Sequence, residues 1–133
     1  MTSDAVHVTG TDFIAVFVDD FPAAEAFYGT TLGLRCSERY ERIPGGEFET
    51  GNLTLQILDS AAIGRPFTPG GSPIALHVDD VEAARAALEA QGVTFLGDTI
   101  DTGVCHMAHF KDPAGNVLMF HRRYAPKGVA NDH

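Results

Sequence analysis

The sequence predicts an α+β fold built from two tandem βαβββ modules, whose strands form a curved mixed sheet around a cleft. Three observations predict it. First, FIAVFVDDFPAAEAF at residues 13–27 repeats as PIALHVDDVEAARAA at residues 73–87, an internal period that points to a duplicated structural unit. Second, each copy opens with apolar residues alternating at a period of two, the mark of a strand, and then runs into an Asp-Asp pair and an Ala-rich helical stretch. Third, glycine-bearing turns divide the rest of each half into three short strand-like segments.

Ile14, Val16 and Val18 alternate with Phe13, Ala15 and Phe17 in the first strand. Asp19 or Asp20, and Asp79 or Asp80 in the second half, are suited to cap the helix that follows, and Pro22 suits a first helical turn. Helices are expected over 21–32 and 80–91, with Gly33 and Gly92 just beyond their ends. Strands are expected near 34–41, 46–50 and 53–58, then near 93–98, 104–111 and 116–122. The chain divides as one domain over 1–133, made of modules 12–58 and 73–123, with the Gly-, Pro- and Ser-rich segment 59–72 as linker.

Composition narrows the function. Hydrophobic residues make up 44% and charged residues 20%, which predicts a globular chain. A formal charge of −9, from 18 acidic residues against 9 Lys and Arg, argues against nucleic acid, which needs clustered basic residues. No apolar run is long enough for a membrane span, and the opening MTSDAVHVTGTD has neither a basic stretch nor an apolar core, so a cytoplasmic protein is expected. Cys36 and Cys105 are expected to be free thiols.

The tandem βαβββ pattern carries further marks: a Val-x-Asp junction between strand and helix, Ala26-Phe27-Tyr28 leading to Leu32-Gly33-Leu34, and the hairpin Asp112-Pro113-Ala114-Gly115-Asn116. With these the chain resembles the vicinal oxygen chelate superfamily, which includes glyoxalase I, extradiol dioxygenases, and fosfomycin- and bleomycin-resistance proteins. The resemblance spans roughly residues 12–123 and implies four metal-ligand positions, two on each half. They fall on Phe13, Gln56, Pro73 and Met119. Phe and Pro offer no side-chain donor, Met sulfur suits soft ions, and a lone amide oxygen is a weak partner, so the set does not suit a divalent ion. Glyoxalase I or extradiol dioxygenase activity is therefore not expected.

Strand parity then assigns the open side. If Asp112 pairs with Asn116, His109 faces Met119 and Met107 faces His121. The residues expected to meet a ligand are Phe13, Phe17, Gln56, His77, Met107, His109, Met119 and His121, an apolar cup with a few polar groups. The principal expectation is a metal-free protein that binds a small planar or amphipathic organic molecule. The resemblance adds a homodimer as the expected assembly. An enzyme is the alternative, with His109 or His77 as general base, or with a divalent metal relocated to His77, His109 and His121. A third reading treats Phe13, Phe17 and Met119 as packing in a filled, ligand-free interaction module.

Overall fold

A computed structural model describes residues 5–126. Strand β1 (Phe13–Val18) leads into helix α1 (Phe21–Ala26), and β2 (Arg35–Arg39), β3 (Gly45–Glu49) and β4 (Thr54–Asp59) follow. The second half repeats this with β5 (Ile74–His77), helix α2 (Val81–Ala90), β6 (Ile100–Asp101), β7 (Cys105–Lys111) and β8 (Val117–Arg123). Each half forms a four-stranded mixed sheet, ordered β1-β4-β3-β2 and β5-β8-β7-β6. In each, the first strand runs parallel to the last and the remaining pairs are antiparallel. The two sheets are not closed onto each other.

The Asp pairs act as caps. The second of each does the work: Asp20 accepts from the Ala23 amide at 3.1 Å and Asp80 from the Ala83 amide at 3.0 Å. The first helix departs from the expectation of a single run over 21–32. After Ala26 it widens into a π-helical turn, Phe27–Thr31, in which the Leu32 amide donates to the Phe27 carbonyl at 2.8 Å. Gly29, Thr30 and Thr31 are poor α-helix formers, and the turn lets the consecutive side chains of Phe27 and Tyr28 both be buried.

The strand expected at 93–98 does not form. Phe95 makes a single bridge to Phe110, and the chain then turns at Gly97, whose φ is +77°. Arg85 of α2 donates to the Gly97 carbonyl at 2.9 Å and to Thr99, which draws this stretch to the helix and leaves a two-residue β6. Elsewhere the observed strands lie within two residues of their expected ends.

One hydrophobic cluster serves both sheets. Phe27 from the first half lies 6.2 Å from Phe110 of the second, centroid to centroid, and Phe110 meets Phe95 at 5.1 Å and Phe120 at 4.8 Å. Tilted rings at these separations contribute about 0.5–1.5 kcal/mol per pair beyond their burial. Strand β3 reaches this arrangement only because it begins with two glycines. A Cβ on Gly45 would stand 2.8 Å from the Ile57 carbonyl oxygen, and one on Gly46 would stand 2.8 Å from that of Glu38. Gly46→Ala is expected to cost about 1–3 kcal/mol, because backbone on the neighbouring strand must move. The midpoint of urea unfolding measures it, and an unchanged midpoint would contradict the account.

Candidate functional site

The period-two alternation sorts the strands into two faces as the sequence predicts. Val16, Val18, Leu76, Leu118 and Phe120 are buried beneath the helices, with Ile14, Ile74 and Val78 partly buried beside them. Phe13, Ala15, Phe17, Gln56, Ala75, His77, Met107, His109, Met119 and His121 are half-buried or exposed. Phe13 is 51% exposed, a large aromatic ring on an uncovered sheet face.

Register fixes the neighbours. On the first sheet Phe13 lies opposite Thr54, and Ala15 opposite Gln56. On the second, Ala75 lies opposite Met119, and Pro73 precedes Ile74, which pairs with Leu118. The four positions marked by the resemblance are therefore equivalent in the two halves: Gln56 and Met119 each face an alanine, with Phe13 and Pro73 two residues upstream of it. Their donors are an amide and a thioether beside a phenyl ring and a pyrrolidine, which do not fit a divalent ion. The β7–β8 hairpin pairs His109 with Met119 and Met107 with His121, the expected register. His77 lies directly opposite His121 on the parallel neighbour, nearer than sequence spacing suggested. Its ring turns to Asp79, with Nε2 and Oδ1 3.4 Å apart. Among the described residues no three side chains of His, Cys, Asp or Glu come together as a metal-holding group.

The chain's main cavities do not gather the whole expected cup. A cavity of about 600 Å³ lies in the seam between β1 and β5, and its walls join core-side residues such as Ile14, Leu55 and Leu76 to Pro73, Ala75 and His77. A smaller one, about 280 Å³, opens between Phe17 and the linker glycines Gly70 and Gly71. Gln56 opens onto a third, about 590 Å³, with Tyr40, Glu38 and Arg42. None of these three takes in Phe13, Met107, His109, Met119 or His121.

Sequence reasoning missed two features here. Gln56 belongs to a hydrogen-bonded row: its Nε2 donates to the Tyr40 hydroxyl at 3.1 Å, and Tyr40 donates to Glu47. Burial and the bond to Glu47 raise the Tyr40 phenol above its ordinary pKa, so it stays a donor at neutral pH. The alternation Glu47-Phe48-Glu49 was the available signal, since it places both carboxylates on the open face of β3. Arg65 was the other omission. The linker brings its guanidinium over the Phe17 ring at 5.0 Å, a contact between segments that no local pattern encodes.

The hairpin itself is structural. Asp112, only 4% exposed, accepts from the Tyr28 hydroxyl at 2.7 Å, from Asn116 Nδ2 at 2.8 Å, and from the amides of Ala114 and Asn116. Asn116 also donates to the Phe17 carbonyl at 2.9 Å, which ties β1 to the second sheet. Burial first, and then the Asp112 carboxylate, push the Tyr28 phenol far above its ordinary pKa, so it remains a donor at any working pH.

Many solved structures share this architecture, three of which follow. A glyoxalase family protein from Bacillus anthracis superposes with a TM-score of 0.76 at 23% identity, covering 90% of this chain and 98% of that one. Lactoylglutathione lyase from Agrobacterium tumefaciens gives 0.73 at 22%, covering 86% and 94%. TnmS3, an antibiotic binding protein from Streptomyces sp. CB03234, gives 0.73 at 24%, covering 90% and 99%. At these identities the likeness shows the fold. No curated protein sequence matches the chain. No helix among the described residues is long and apolar enough to cross a membrane. The family model described as Glyoxalase/Bleomycin resistance protein/Dioxygenase superfamily matches residues 10–120, and the chain belongs to that superfamily.

Proposed function

We propose that the protein binds a small planar or amphipathic organic molecule against its open sheet faces without a divalent metal, and that two copies of the chain close the cleft. One observation carries the reading. The four positions at which the resemblance implies metal ligands hold Phe13, Gln56, Pro73 and Met119, an apolar set with one amide. Phe13, and Phe17 beneath Arg65, are suited to stack on a flat ligand. Gln56, Tyr40 and Glu47 offer it a polar end, and Met119 adapts to its outline. The antibiotic-binding neighbour TnmS3 is consistent with such a use of the fold.

The homodimer draws support from charge. The open face of the first sheet carries Glu38, Glu47 and Glu49 against Arg35, with Arg65 of the linker over Phe17, whereas that of the second carries Lys111, Arg123 and three histidines. A two-fold axis would set the first sheet of each copy against the second sheet of the other, acid against base. Light scattering is expected to give twice the mass of one chain, and a monomer at micromolar concentration would contradict this.

Phe13→Ser provides a direct test of the cleft. The side chain is exposed, so stability is expected to change by no more than about 0.5 kcal/mol. Affinity for a planar ligand is expected to fall about tenfold, roughly 1.4 kcal/mol. Equal affinity in variant and parent would remove Phe13 from the site. An enzymatic reading rests on His109, whose ring is half-buried on the open face and suited to act as a general base. If turnover of a bound compound is found and survives His109→Phe combined with His77→Phe, that mechanism is excluded.

A further inference from the structure

On β7 and β8 the open face of the second sheet carries two thioethers and two imidazoles. Met107 lies opposite His121, and His109 opposite Met119, two residues further along the same antiparallel pair. Each cross-strand pair thus joins a thioether to an imidazole, and the two pairs alternate in orientation. All four residues are half-buried on one side of β7 and β8. Directly opposed residues hold their Cβ atoms about 4.5–5.5 Å apart. An ion held by one imidazole nitrogen and one sulfur separates those atoms by no more than about 4.3 Å, taking zinc-like bonds of about 2.0 and 2.3 Å. Two flexible methionines make that spacing easy to reach.

The donor types select the ion. Thioether sulfur prefers soft ions, and imidazole accepts copper readily. Among the described residues the rings of His109 and His121 take part in no hydrogen bond or ion pair, whereas His77 is turned to Asp79. Lys111 and Arg123 stand on the same face at the two ends of the strip. Their charges disfavour a hard dication more than an ion of single charge.

We propose that this strip binds one soft monovalent ion, Cu(I), through Met107, His109, Met119 and His121. Only Met119 coincides with the four positions marked by the family resemblance, so this is a different site with different chemistry. It stands independently of the organic ligand, whose binding is measured on chelator-treated protein.

The test uses Cys36→Ser, Cys105→Ala protein, because the exposed Cys36 thiol would itself take a soft ion. Anaerobic titration with Cu(I) against bathocuproine disulfonate is expected to show one equivalent retained per chain. Ag(I), which has no redox chemistry under these conditions, is expected to shift the methyl carbon resonances of Met107 and Met119 together. Met107→Leu with Met119→Leu conserves volume and is expected to weaken Cu(I) binding by about 100-fold or more. Zn(II) is expected to leave the methyl signals in place. Failure to retain Cu(I), equal retention by the double leucine variant, or equal binding of Zn(II) would each overturn the assignment.

Discussion

Asp112→Ala is expected to destabilise the protein by about 3 kcal/mol or more. The substitution removes the acceptor for the buried Tyr28 hydroxyl, the Asn116 side chain and two backbone amides. An unsatisfied buried donor costs about 1–3 kcal/mol, and among the described residues Asp112 is the acceptor of the Tyr28 hydroxyl. The effect should appear as a fall in melting temperature of about 10 °C or more. Tyr28→Phe removes one bond and leaves the carboxylate three others, so about 1–2 kcal/mol is expected. Asp79→Ala, at an exposed side chain, serves as control and should stay within about 0.5 kcal/mol. A loss below about 1 kcal/mol for Asp112→Ala would mean that the hairpin does not clamp the two halves.

The second large effect is a gain. Phe13→His, Gln56→Glu, Pro73→His and Met119→Glu together would place two imidazoles and two carboxylates at the positions equivalent in the two halves. That is a sound ligand set for a divalent ion. The combined variant is expected to bind Zn(II) or Ni(II) with micromolar or better affinity, a binding free energy of about −8 kcal/mol or stronger. Isothermal titration reads it directly. A folded, dimeric variant that still fails to bind either ion would mean that these positions do not converge. Divalent binding by the parent at this place would refute the metal-free reading.

Much of the fold was legible because it is written in short-range patterns. The repeat at residues 13–27 and 73–87 became β1-α1 and β5-α2, and the Asp pairs became caps because their spacing to Ala23 and Ala83 suits an N-cap. The pairing of His109 with Met119 followed from counting across one tight hairpin. What could not be read depended on contacts between distant segments. The π-helical turn at Phe27–Thr31 serves two side chains whose partners, Phe110 and Asp112, lie some eighty residues away. The strand expected at 93–98 was lost to Arg85, which reaches across from α2. At the site, parity found the open faces but not Arg65 over Phe17 or the Tyr40–Gln56 bond, since neither has a local signature. Parity also says which side a residue takes and not how two sheets stand to each other.

The most direct measurement is an NMR titration of chelator-treated protein with a panel of planar aromatic antibiotics, following the Met107 and Met119 methyls and the Phe13 and Phe17 rings. The account predicts saturable shifts at these groups for at least one compound, unchanged when Zn(II), Ni(II) or Fe(II) is added. No saturable shift, or binding that appears only once a divalent ion is supplied, would contradict it.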